Sequence, residues 1–173
     1  MPSRSVALIL ALTTGLLTTA MTRPGTPEGD RDRRVVDLVL AGDVGSEATH
    51  GYAGHDARSG LAAGKPFRQT AGWMHYAMTT FDDTPVTLAL TFVGVESQRR
   101  RYYIVVEDSV IASREFSAPA DSSVVVEISV PFSITKGRSN IAVVIRARSG
   151  VTPALREMRT VQDHHEAPHS AIR

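Results

Sequence analysis

At 173 residues, with 42% hydrophobic and 21% charged side chains, the chain has the balance of one globular domain, which excludes a disordered protein. Nineteen Lys and Arg against 18 Asp and Glu leave a formal net charge of +1, too weak a field to imply nucleic acid or an anionic membrane as partner. The absence of cysteine excludes disulfides, a thiolate zinc site, an iron–sulfur cluster and a cysteine nucleophile.

In chain order, the first predicted element is a secretory signal over residues 1–20. Arg4 supplies a basic start, Val6 to Leu17 is apolar apart from Thr13, Thr14 and Gly15, and Thr18-Thr19-Ala20 offers small residues for cleavage. The stretch is too short for a confident membrane span, so no membrane contact is expected after cleavage. Cleavage removes one basic residue, Arg4, and no acidic one, leaving a formally neutral chain in an extracellular or periplasmic setting. Residues 21–34, MTRPGTPEGDRDRR, lack apolar periodicity and read as a flexible linker. The folded domain is expected over 35–162, with a disordered tail over 163–173.

Within the domain the dominant signal is alternation of period two. Val86, Leu88, Leu90 and Phe92 share one face of a strand, with threonines opposite. Val124, Val126, Ile128 and Val130 repeat the pattern, as do Ile141, Val143 and Ile145, with Arg146 and Arg148 at that strand's exit. Tyr102 to Val106 is a β-branched and aromatic run of strand length. The clusters 82–85, 107–109, 118–121 and 136–139 are turn-forming, and Glu107-Asp108-Ser109 predicts a hairpin tip. Residues 131–135 are the best helical candidate and read as a short turn. Many short strands with regular turns predict an all-β sandwich of jelly-roll type. Residues 41–72, rich in glycine and small side chains, are expected to form one long irregular loop, where a ligand site is sought first.

The strings Gly42-Asp43-x-x-Ser46-Glu47-x-x-His50 and Gly72-Trp73-x-x-Tyr76, followed by a strand ending Phe92-Val93-Gly94, carry a resemblance. Over about residues 35–162 the chain resembles the β-sandwich module attached to β-L-arabinofuranosidase-type glycoside hydrolases of families 127 and 146. The resemblance implies a galactose-binding-like jelly roll, a substrate-binding or carbohydrate-binding role and an association with a glycoside hydrolase. The cysteine-based catalysis of the parent enzymes is out of reach of a chain without cysteine.

Six residues are candidates for contacting a polysaccharide or oligosaccharide. Glu47, His50, His55 and Asp56 offer carboxylate and imidazole groups for sugar hydroxyls; Tyr52 and Trp73 offer faces for stacking on sugar C–H patches. Against this stands a structural reading: Asp43 and Ser46 are expected to bond loop backbone, and Glu47 and His50 could do the same. Trp73, the single tryptophan, could equally be a core plug. Being three apart in a strand, Trp73 and Tyr76 point to opposite faces, so at most one belongs to the core. The run Arg99-Arg100-Arg101 reads as a solvated turn, and His164, His165 and His169 as tail composition. Glu47, Asp56, Asp82, Asp83 and Glu96 show no pairing of the kind glycosidases need, so no catalytic residue, cofactor or metal is assigned. The alternative to sugar binding is an interaction module that packs on a separate hydrolase or envelope protein, with Trp73 buried and an apolar sheet face exposed. A more distant third is metal-assisted hydrolysis on Glu47, His50 and His55.

Overall fold

A computed structural model of the chain describes residues 33–95 and 99–163. The expected signal peptide, most of the linker, the tail from His164 onward and Glu96 lie outside the described residues. The elements run β1 (Arg33–Leu40), α1 (Val44–Thr49), β2 (Ala53–Ala62), β3 (Lys65–Thr79), β4 (Val86–Val93), β5 (Arg100–Val106), β6 (Ser109–Phe116), β7 (Ser123–Val130), α2 (Phe132–Thr135), β8 (Asn140–Ser149) and β9 (Ala154–Asp163). All strand pairings are antiparallel.

The strands form two halves, β2-β3-β8-β5-β6 and β1-β9-β4-β7, joined through a single register pair between Arg68 and Leu155. The alternating residues build the core between the halves. Val86, Leu88, Leu90 and Phe92 of one half, and Tyr102, Ile104, Ile141, Val143 and Ile145 of the other, belong to one buried cluster. Burial of this apolar area is what holds the sandwich together, in the absence of any cross-link. Glu107 and Asp108, with φ of 47° and 62°, make the two-residue turn between β5 and β6, the positive-φ geometry that suits the twist of a tight hairpin. The segment around Pro131 holds only the four-residue helix α2 between strands.

The long irregular loop expected over 41–72 is not there. Most of that segment is α1 and the hairpin β2–β3, closed by Ala63-Gly64 in a turn with φ of 49° and 72°. The pattern was hidden because β2 is an edge strand paired only with β3, and most of its residues face solvent, so it has no apolar stripe to show. Glycine is also required there. A side chain at Gly60 would meet the ring of Phe67 at 2.4 Å, so the glycine lets that ring lie against the strand. A register irregularity between His55 and Ala57, with Asp56 at φ 52°, breaks the alternation further.

Candidate functional site

The six candidate residues do not meet in one place. The structure distributes them between a cleft beside α1 and the outer face of the β2-β3-β8-β5-β6 half.

At the cleft, Asp43 caps α1 by accepting the backbone N–H of Ser46 at 2.8 Å, and the Ser46 hydroxyl accepts the N–H of Leu40 at 2.8 Å, the structural roles expected of both. This cap places Glu47 inside the fold, 4% exposed. Its Oε1 accepts Gly42 N–H at 2.8 Å, Arg68 Nε at 3.0 Å and the Tyr76 hydroxyl at 3.1 Å, while Oε2 takes the second Arg68 nitrogen. The hydrogen bonds that Arg68 donates to Glu47 raise the Arg68 pKa, against the opposing effect of burial. Burial, reinforced by the Glu47 charge and hydrogen bond, pushes Tyr76 far above the usual phenol range. Glu47 therefore holds the fold together, and offering it to a sugar would undo a buried pair.

Arg68 also lies over the ring of Tyr52, its guanidinium carbon 4.6 Å from the centroid. Tyr52 packs on Tyr76 with centroids 5.4 Å apart, and burial is the main cause of its raised pKa. Between the Arg68 cation and the Tyr76 ring, little of Tyr52 is left for a sugar. Val44, Ala48 and Gly51 complete the cleft with Glu47, Tyr52 and Arg68, enclosing about 350 Å³. His50 is likewise occupied: Nδ1 lies 2.6 Å from Ser46 O and Nε2 3.1 Å from Asp37 Oδ1.

The opposite situation holds for His55, Asp56 and Trp73. His55 and Asp56 are exposed, 3.2 Å apart, at the β2 irregularity. His55 is the cross-strand partner of Trp73, which is 39% exposed, while Met74 and Tyr76 on the other side of β3 are fully buried. The parity read from the sequence holds: one of the aromatic pair is core, and it is Tyr76. On its other side Trp73 pairs in register with Arg146 of β8, which pairs with Tyr103 of β5. One row across four strands therefore reads His55, Trp73, Arg146, Tyr103. Arg148, two residues along β8, sits 5.8 Å from the Tyr103 ring centroid. Sequence reasoning did not assign Tyr103, Arg146 or Arg148 to a site, since no local signal states which residues become neighbours across strands.

No curated protein matches the chain. A family model described as a family of unknown function (DUF6805) matches residues 31–161. The chain belongs to that family. Among solved structures, this DUF6805 chain is similar to a family 35 carbohydrate-binding module from Clostridium thermocellum, at 12% identity and TM-score 0.51, over 71% of this chain and 95% of that one. It is also similar to the carbohydrate-binding module CBM36 in complex with calcium and xylotriose, at 12% identity and TM-score 0.52, over 71% and 98%. A third similarity is to the exo-beta-1,3-galactanase of Phanerochaete chrysosporium, at 10% identity and TM-score 0.51, over 71% of this chain but only 28% of that enzyme. At such identities the likeness establishes the fold, an all-β jelly-roll sandwich. Among the described residues no three His, Asp or Glu side chains converge to hold a metal ion, so their carboxylates and imidazoles do not assemble a calcium cage. The grouping of Glu47, His50 and His55 needed for metal-assisted hydrolysis does not form either: His50 is held by Asp37, and His55 pairs with Asp56.

Proposed function

We propose that this chain is an exported, non-catalytic carbohydrate-binding module that presents Trp73 to a polysaccharide or oligosaccharide. The observation that carries the reading is Trp73 itself: a single, partly exposed indole on a middle strand of a sheet, where burial would be the default for so large a ring. Sugars stack their C–H patches on such faces, and Tyr103 supplies a second, half-buried ring in the same cross-strand row. His55 and Asp56 lie at one end of that row as hydrogen-bonding groups. Fold likeness to carbohydrate-binding modules supports the same reading. Association with an arabinofuranosidase-type hydrolase, with this module delivering substrate to a separate catalytic domain, is the extension that the sequence resemblance suggests.

The test is intrinsic fluorescence, because Trp73 is the only indole in the chain. Titration with arabinan, galactan, xylan and galacturonan oligosaccharides is expected to give a saturable spectral shift, absent in a folded Trp73→Ala variant that also fails to co-sediment with the matching polysaccharide. A wild-type protein that neither shifts nor co-sediments with any of them would overturn the proposal.

A second reading rests on the other half of the sandwich. Leu40 and Val125 end one cross-strand row on β1 and β7, and with Val35 and Leu38 they leave apolar side chains exposed there. This favours a protein contact on that face. It is compatible with sugar binding on the opposite one.

A further inference from the structure

The outer row holds more charge than a platform for neutral sugar requires. Arg146 and Arg148 both point outward from β8, and Arg146 is paired on both sides, with β3 and β5, so it is not one of the edge charges that guard a sheet against unwanted pairing. Among the described residues neither has a carboxylate partner. At the neighbouring edge Arg101 and Arg99 share Glu115, at 3.0 and 3.5 Å, while Arg58 is bonded to Gln69 and Arg114 to a backbone carbonyl. At the far end of the row Asp56 is paired with His55. The guanidinium groups at the centre are thus left without counter-charge, and Arg148 lies against the Tyr103 ring.

The register fixes the spacing. Trp73 and Tyr103 flank Arg146 on neighbouring strands, so their backbones are two strand spacings, about 10 Å, apart. A short oligosaccharide lying across the strands would stack on Trp73 at one end and reach Tyr103 at the other. The group under its middle would meet Arg146, and a guanidinium fork is built to take a carboxylate through two parallel hydrogen bonds.

We infer that the Trp73–Arg146–Tyr103 row selects an acidic glycan, one that carries uronate carboxylates. The inference rests on the carbohydrate-binding reading and narrows it. Arg146 is the specificity-determining residue and Arg148 adds to the attraction. The aromatic rings supply the contact that any sugar would share.

The experiment compares, by isothermal titration on the full chain, a galacturonic acid oligomer, its fully methyl-esterified form and a neutral galactan oligomer of similar length. The acidic oligomer is expected to bind at least tenfold more tightly than its ester, with affinity falling as salt rises. Arg146→Gln should erase most of that preference, a loss of about tenfold corresponding to one charge-assisted contact. Lys136→Gln, on the loop after α2, should leave it unchanged. Equal, salt-insensitive binding of acid and ester would overturn the acidic class while leaving a carbohydrate module standing. Failure of all three, alongside failure of the wider fluorescence screen, would overturn both. Retention of the full preference by a folded Arg146→Gln, Arg148→Gln double variant would remove this row as its source.

Discussion

Oδ1 of Asp37 lies 3.1 Å from Nε2 of His50, tying β1 to the residue that closes α1. The same carboxylate accepts the backbone N–H of Leu38 at 2.9 Å and, through Oδ2, that of Thr79 at 2.7 Å. Burial alone would raise its pKa. The Thr79, His50 and Leu38 contacts outweigh burial and hold it below the usual carboxylate value. A carboxylate depressed in the folded state stabilises it above the unfolded pKa of about 3.9, and that contribution is lost as pH falls through the lower folded value. Asp37→Asn is therefore expected to be less stable than wild type near neutrality, by about 1–3 kcal/mol, with the gap closing below about pH 4. Urea denaturation at a series of pH values measures it; a gap that widens in acid would contradict the assignment.

Glu47 should be the costliest surface-proximal residue to truncate. Glu47→Ala leaves the Arg68 guanidinium, 15% exposed, without its anion and Tyr76 without an acceptor. Removing one partner of a buried pair costs about 3–5 kcal/mol. Glu47→Gln keeps acceptors for Gly42 and Tyr76 and is expected to lose less. Equilibrium unfolding of the two variants gives the ordering, and an Ala variant within about 1 kcal/mol of wild type would show that the Arg68 pair is not a structural anchor.

The β5–β6 hairpin offers a stabilising change. Asp108 sits at φ 62°, where an L side chain is strained and glycine is not. Its neighbour Glu107 must stay, since its carboxylate accepts Ala142 N–H at 2.8 Å and pairs with Arg138 at 3.2 Å. Asp108→Gly is expected to raise stability by a few tenths to about 1 kcal/mol, and Asp108→Val to lower it, in thermal melts.

These elements also show which parts of the molecule its sequence makes legible. Strands such as Val86–Val93 announce themselves because a core on one side forces every second residue to be apolar. Parity within a strand is equally local, which is why Trp73 and Tyr76 could be assigned to opposite faces. The hairpin β2–β3 is silent because an exposed edge strand has no such constraint, and glycines that let Phe67 approach look like loop composition. The pairing of Glu47 with Arg68 depends on how α1 docks on β3, 21 residues along the chain, and that of Trp73 with Arg146 on strand register across 73 residues. No short-range pattern encodes that register, so a site made of cross-strand neighbours stays hidden until the sheet is assembled.

Part of the alkaline loss of stability should trace to the core phenol of Tyr102, alongside that of the more strongly shifted Tyr76. Burial pushes the Tyr102 pKa up to about 12, with Arg114 partly opposing, and its ring packs edge-on to Phe92 at 5.2 Å. A group whose folded pKa is raised contributes stability that is whole below the unfolded value of about 10 and is lost as pH climbs through the folded one. Over that window the unfolded chain ionises and the folded chain resists. Tyr102→Phe keeps the ring and the contact with Phe92 while removing the ionisable group. It should match wild type near neutrality to within about 1 kcal/mol and decline less steeply with pH above about 10. Parallel denaturation curves across that range, with no difference in slope against pH, would show that Tyr102 ionises as freely in the folded chain as in the unfolded one.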